Sequence, residues 1–114
     1  MAKDDYYVLA YRILAYLYVC LKQGQNPSMQ YLVCDSDDFP VGKDYWNYIF
    51  EHLFTDGYIE GVTLLPIMGK QTPGVKLTER VRITPAGIDY LQNNSAMQKA
   101  LGFLKNLKEI IPGI

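Results

Sequence analysis

The side chains that most often carry catalysis are sparse in this sequence and stand in no catalytic pattern. His52 is the only histidine, and no serine, cysteine or carboxylate partner stands at a recognisable spacing from it. A lone histidine without assignable partners is more typical of a structural or solvated position than of a general base. No Gly-Lys-Ser/Thr or Gly-x-Gly-x-x-Gly segment offers a phosphate-binding loop. We therefore do not expect an enzyme.

The spacing of possible metal ligands is equally unfavourable. Cys20 and Cys34 are the only cysteines, and they form no Cys-x-x-Cys pair or Cys/His cluster of the kind that holds zinc. The acidic residues Asp35, Asp37 and Asp38 lack the glycine and the closing glutamate of an EF-hand loop. A solvated turn with capping aspartates is the more typical meaning of such a run. The sequence predicts no metal and no cofactor.

Basic side chains offer a different chemistry, which is the neutralisation of nucleic-acid phosphates. Residues 61–83 carry a formal charge of +3, whereas residues 35–60 carry −6 with Lys43 as their only base. Contact with the backbone or minor groove of a duplex is therefore expected mainly from the later segment, although a solvated hairpin that protects its edge would be charged in the same way. The candidate DNA-binding residues are Lys43, Asn47, Tyr48, Lys70, Lys76, Arg80 and Arg82.

A helix between Gly42 and Gly57 would position the first of these residues. Its apolar stripe has the spacing i, i+3, i+4 and i+7 and consists of Trp46, Ile49, Phe50 and Leu53. Gly42 suits the N-cap, and Gly57 suits the left-handed residue just past the end. The opposite face carries Lys43, Asp44, Asn47, Tyr48 and Glu51. In a DNA-binding winged helix this face enters the major groove.

Two strand-like runs, residues 58–65 and 75–83, would position the remaining basic residues. The turn-rich loop between them contains Pro66, Gly69, Pro73 and Gly74, which predicts a long hairpin tip. Glu79 stands at a position of the second run where the alternation predicts an apolar residue. A strand at the edge of a sheet can tolerate a charged residue there. Thr84 and Pro85 then open another helix as its N-cap and first residue.

This order predicts an α+β, mainly α fold: a winged helix-turn-helix with a two-stranded wing and an extra C-terminal helix. At 114 residues we expect a single domain over residues 1–114. The helix-turn-helix would occupy about residues 28–56, the wing about 58–83 and the C-terminal helices about 85–111. Its short helix would run from Met29 to about Cys34 after a Ser28 cap, and Pro40 would interrupt the turn that follows.

The first and last helices carry enough apolar side chains to be buried on more than one side. The first helix, from Asp4 or Asp5 to about Lys22 with Gly24 as its stop, has two stripes. One stripe is Tyr6, Leu9, Ala10, Ile13, Leu17 and Leu21, and the other is Tyr7, Tyr11, Leu14 and Tyr18. The last helix, Ala96 to about Ile111, has Ala100, Phe103, Leu104, Leu107 and Ile111 on one side. Either this helix covers the second stripe, or a homodimer forms through the first and last helices.

Three segments resemble the YjcQ family of small bacterial and phage-associated proteins. They are Asp56–Val62, with the sequence DGYIEGV, then Ile83–Leu91, with the sequence ITPAGIDYL, and the terminal helix Met97–Ile111. The resemblance covers most of the chain. It implies a winged-helix fold and leaves the biochemical role to be argued from the residues.

Two functions remain open at this point. The first is a winged-helix, transcriptional-regulator-like protein that binds double-stranded DNA mainly through the wing. The second is a winged-helix protein–protein interaction module without nucleic-acid binding, with Tyr45, Trp46, Tyr48 and the acidic face as its surface. The fold alone does not choose between them.

The N-terminal residues argue against a membrane protein. Met1–Asp5 is polar and acidic, unlike a signal peptide. The longest apolar stretch, Tyr6–Leu21, is interrupted by Arg12 and is short for a bilayer span. We expect a cytoplasmic protein with reduced thiols and no membrane partner.

Overall fold

The computed structural model describes residues 1–109, which form four helices and a two-stranded antiparallel sheet in a winged-helix arrangement. In chain order the elements are α1 (Tyr6–Gln23), α2 (Lys43–Thr55), β1 (Ile59–Leu65), β2 (Gly74–Ile83), α3 (Pro85–Asn93) and α4 (Ser95–Asn106). The predicted mainly α fold with a two-stranded wing and an extra C-terminal helix is confirmed. None of the described helices combines the length and the apolar character needed to cross a membrane.

Most helix ends fall at the predicted residues because the end signals are local. Gly24 ends α1 in the left-handed conformation, and its N–H points to the last carbonyls of the helix. Gly57 follows α2 with a φ of 83°. The Thr84 hydroxyl accepts a hydrogen bond from the Gly87 N–H at 3.1 Å and so caps α3. Asp5 is the N-cap residue of α1, but its carboxylate makes no capping hydrogen bond there.

The predicted short helix over residues 29–34 is wrong. The N–H groups of Tyr31 and Leu32 both donate to the carbonyl of Ser28 at 3.2 Å, which makes a single turn. So short a helix gains too few backbone hydrogen bonds to offset the entropy of its nucleation. The turns between α1 and α2 nevertheless insert three apolar side chains into the core, Leu32, Phe39 and Val41. The first half of the predicted helix-turn-helix is therefore irregular chain.

The last helix is shorter than predicted. α4 ends at Asn106, and Lys108 has a φ of 55°, a left-handed conformation that stops a helix. Leu107, which we expected on the apolar side, is exposed. Ile111, also predicted for that side, lies outside the described residues.

α4 packs on α1 and covers part of its second apolar stripe. Val8 is fully buried in a separate cluster with Ala100 and Leu104, and Tyr11 and Phe103 pack against its edge. The main core lies on the other side of α1, where residues from α2, both strands, α3 and α4 meet. Within the chain, Tyr11 of the second stripe meets α4 and Leu14 lies in the main core, whereas Tyr7 stays exposed.

A buried arginine fixes two irregular segments to α1. Arg12 is 3% exposed, and its guanidinium lies 3.4 Å from the Asp38 carboxylate and 3.2 Å from that of Glu109. The Lys3 ammonium, 2.7 Å from Glu109, and then Arg12 lower the pKa of the Glu109 carboxyl. Arg12 thus connects the loop before α2 and the chain after α4 to the centre of α1.

Candidate functional site

The wing is an antiparallel ribbon with one apolar face. Val62 pairs with Leu77, and Leu64 pairs with Val75, so that these four side chains share the face that packs on the core. Lys76 pairs with Thr63 on the opposite face, and both are exposed. The strands confirm the predicted β-ribbon to within one residue at its ends.

A large, irregular bulge interrupts the ribbon at its base. Between the pairs Glu60–Arg82 and Val62–Leu77, Gly61 alone stands opposite the four residues Thr78–Val81. Gly61 has a φ of 80°, and a Cβ there would lie 2.4 Å from the Arg80 carbonyl oxygen. The Thr78 hydroxyl donates to the Gly61 carbonyl oxygen at 2.7 Å. Glu79 lies in the bulge and is exposed, so the apolar register in which we expected it does not continue through this region.

The wing loop folds back on the start of α2. The Lys70 ammonium lies 2.8 Å from both carboxylate oxygens of Asp44. The Lys43 ammonium lies 4.6 Å from the centre of the Trp46 ring, above its face. Of the predicted DNA-binding residues, Lys70 is therefore held at the start of α2 and neutralised by Asp44, while Lys43 lies over the Trp46 ring.

The other three predicted basic residues follow the second strand. Lys76 is exposed on the ribbon, Arg80 is exposed in the bulge, and Arg82 forms an ion pair with Glu60 directly across the strands. No carboxylate of residues 1–109 lies within ion-pair distance of Lys76 or Arg80. Arg80 and Arg82 also line an open cleft of about 610 Å³ between the base of the wing and the end of α1.

Asn47 is not on the exposed face of α2, where we expected it. Its side chain is 2% exposed, and the amide oxygen is buried without a hydrogen-bond partner among the described residues. The reason is that α1, β1 and β2 all pack on α2, so its buried arc is wider than the apolar stripe indicates. Tyr48 is exposed as predicted, together with Lys43 and Asp44. Apart from Lys43, these exposed side chains of α2 are an aromatic ring, Tyr48, and a carboxylate, Asp44.

Tertiary structure also assembles six tyrosines into one surface, which we call the tyrosine belt. Its members come from four separated segments: Tyr6, Tyr7, Tyr45, Tyr48, Tyr58 and Tyr90. The rings of Tyr6 and Tyr48 lie 6.3 Å apart, edge to face, and connect α1 to α2. The rings of Tyr58 and Tyr90 stack at 4.2 Å and connect the start of the wing to α3.

The two halves of the belt adjoin because α3 packs on α1. Burial raises the pKa of Tyr6, and the nearby Tyr90 and Asp56 raise it further. Burial also raises the pKa of Tyr90, with Tyr7 and Tyr58 as further causes. The high tyrosine content was the only sequence signal for this surface, because its members are far apart in the chain.

Carboxylates border the tyrosine belt. The pKa of Tyr45 is raised first by burial and then by Asp4 and Asp5. Asp56 lies close enough to Tyr6 and Tyr90 to raise the pKa of both. Asp4 and Asp56 form no ion pair with any side chain of residues 1–109. The surface is therefore aromatic at its centre and negatively charged at its edge.

The described helices, the wing and its packing define a winged-helix protein. The sequence model described as YjcQ protein matches residues 11–110, and the chain belongs to the YjcQ family. Neither a curated protein nor a solved structure gave a significant match.

Proposed function

We propose that this winged-helix protein binds double-stranded DNA through its wing, in the manner of a transcriptional regulator. The observation that carries the proposal is the pair of exposed basic side chains, Lys76 and Arg80, that no described carboxylate neutralises. Free ammonium and guanidinium groups gain affinity from phosphates by releasing condensed counterions. The frequent use of this fold for DNA binding supports the proposal by analogy only.

The tip of the wing favours contact with the minor groove. Met68 is 100% exposed, and Leu65 and Ile67 beside it are exposed as well. Proteins that bind the minor groove often insert such apolar side chains between base steps. Lys70 follows Met68 by two residues and would lie near the phosphates if the tip entered the groove.

The side chains of α2 argue against docking of DNA on this helix. Asp44 is exposed at its start, Glu51 is half-buried further along, and Asn47 is buried. Carboxylates beside phosphates repel them, so the wing has to supply most of the attraction. This arrangement favours weak binding that depends strongly on salt.

The homodimer through the first and last helices stays a prediction, and these helices have less apolar surface left for a second subunit than the sequence indicated. α4 already buries the apolar cluster around Val8 on α1. Sedimentation equilibrium over a range of protein concentrations decides between a monomer and a dimer.

The test is fluorescence anisotropy with a random-sequence duplex over a series of salt concentrations. In the double variant Lys76→Ala/Arg80→Ala we expect weaker binding and a slope of log K against log salt that is less steep by about 1.8, since each lost phosphate contact removes about 0.9. The control, Lys99→Ala/Lys105→Ala, removes the same charge from exposed positions on α4 and should bind like the native protein. No binding at low salt would remove the proposal.

A second variant separates the apolar tip from the charges. Met68→Ala should weaken binding by about threefold to tenfold without changing the salt slope, because an apolar wedge contributes no counterion release. An unchanged affinity would show that the ribbon contacts the backbone alone.

A further inference from the structure

We propose that the tyrosine belt is a docking surface for an arginine-bearing segment of a partner protein. This surface is separate from the wing, and the inference does not depend on DNA binding. The occupant follows from the chemistry of the belt, which presents aromatic ring faces at its centre and carboxylates at its border.

The belt has accessible ring surface. Tyr7 is 44% exposed and Tyr48 is 43% exposed, while the other four members are half-buried and hold these two in place. Tyr6 contacts both exposed rings, at 5.3 Å from Tyr7 and 6.3 Å from Tyr48. Tyrosine is enriched at protein interfaces because it combines a large apolar ring with a polar tip. The contacts with Tyr6 hold the rings of Tyr7 and Tyr48 in place before a partner binds, and this lowers the entropy cost of docking.

The border of the belt determines the charge of the partner. Asp4 and Asp56 are exposed and without an ion pair in residues 1–109. Asp4 lies two residues before Tyr6 at the start of α1, and Asp56 follows the end of α2, two residues before Tyr58. A cation near these carboxylates would gain both an ion pair and the negative face of an aromatic ring. An anionic partner, such as a nucleic acid, would meet repulsion at the same border.

Arginine fits this surface better than lysine. Its planar guanidinium stacks on aromatic rings while its N–H groups form bidentate hydrogen bonds with a carboxylate. The protein already uses ring faces to hold cations elsewhere, since the Lys22 ammonium lies 4.4 Å from the centre of the Tyr18 ring. At the belt, the His52 imidazole lies 4.3 Å from the centre of the Tyr48 ring, and no lysine or arginine of residues 1–109 lies over a belt ring.

The test compares two fluorescein-labelled peptides of equal length and charge, one an Arg-Gly repeat and the other a Lys-Gly repeat. We expect saturable binding of both, with the arginine peptide bound at least about threefold more tightly because guanidinium stacks better on tyrosine. Tyr48→Ala and Tyr7→Ala should each weaken the arginine peptide by about threefold to tenfold. Tyr18→Ala, a tyrosine variant on the same helix as Tyr7 but outside the belt, should leave binding unchanged.

Several results would overturn the proposal. Equal affinity for the two peptides would mean that only charge is recognised, and a loss in Tyr18→Ala as large as in Tyr48→Ala would place the binding elsewhere. Self-association that disappears in Tyr48→Ala would make the belt an interface between copies of this chain. The fluorescence of Trp46 and the far-UV circular dichroism confirm that each variant is folded, and both exposed tyrosines can be truncated with little loss of packing.

Discussion

The wing and the tyrosine belt are built in different ways, although both depend on glycines that leave no room for a side chain. The wing is continuous in sequence, from Ile59 to Ile83, and its shape depends on Gly61 against the bulge. The belt brings together four separated segments, and its stacked Tyr58–Tyr90 pair depends on Gly87, where a Cβ would lie 2.1 Å from the Tyr58 carbonyl oxygen. Their charges are opposite, because the wing exposes bases and the belt is bordered by acids.

Because the wing is local and the belt is not, the wing can be changed without disturbing the belt more easily than the reverse. A change in the wing loop alters local charge and shape, since few core residues depend on it. A change beneath the belt moves helices relative to one another, because α1, α2 and α3 all contribute to it. The two surfaces can therefore be separated by their effects on stability, on its pH dependence and on binding affinity.

The largest effect is expected for Gly61→Ala. The new Cβ would collide with the backbone of Arg80 and Val81 while φ stays near 80°, so we expect a loss of about 3 kcal/mol in the free energy of unfolding. Urea denaturation followed by Trp46 fluorescence measures it. Gly69→Ala is the matched control, because Gly69 has the same φ of 80° but nothing within 4 Å of the added atom. Similar losses in the two variants would contradict the role of the bulge.

Gly87→Ala should cost about 2 kcal/mol, since the Cβ would push α3 away from the carbonyl of Tyr58 and the side chain of Ile83. We also expect the arginine peptide to bind the variant more weakly while DNA binding is unchanged. Gly102→Ala in α4 meets nothing within 4 Å and should stabilise the protein by up to about 1 kcal/mol through helix propensity. If Gly87→Ala were as harmless as the Gly102 variant, the close approach of α3 to the wing base would be wrong.

The belt should also make stability fall at alkaline pH. The folded-state pKa of Tyr6 is raised by burial from its ordinary value of 10.0, so above that pH the unfolded chain loses the Tyr6 proton before the folded protein does. Stability is therefore fully present below pH 10 and declines as the pH rises toward the folded-state pKa. The midpoint of urea unfolding between pH 9 and 11 measures the decline. Tyr6→Phe should make it shallower, and an identical decline in the variant would exclude this tyrosine as a cause.

The smallest effect on stability, and a gain in DNA binding, is expected for Asp44→Asn. The pair with Lys70 is exposed, with side chains 67% and 47% accessible, so its loss should cost less than about 1 kcal/mol. Removing the carboxylate frees the Lys70 ammonium, and we expect DNA affinity to rise by about threefold at low salt. Asp89→Asn makes the same charge change on α3 and serves as the control. Weaker DNA binding in Asp44→Asn would count against contact near the wing tip.

Local signals made much of the fold readable from the sequence. Thr84 and Pro85 mark the start of α3, and Gly24 and Gly57 mark the ends of α1 and α2. Two strand-like runs around a turn-rich loop mark the wing. Each of these depends on the conformational preference of a few neighbouring residues, which the chain carries wherever it folds. The basic character of the wing is likewise a property of the sequence alone.

Other features were decided only when distant segments met. The bulge opposite Gly61 and the burial of Asn47 depend on packing partners that local propensity does not identify. The tyrosine belt depends on four segments that are far apart in the chain. Local preferences in the sequence were enough for the wing and most helix ends, because a few neighbouring residues carry them. Which side chains touch and which stay exposed follows from packing, because burial depends on the whole chain.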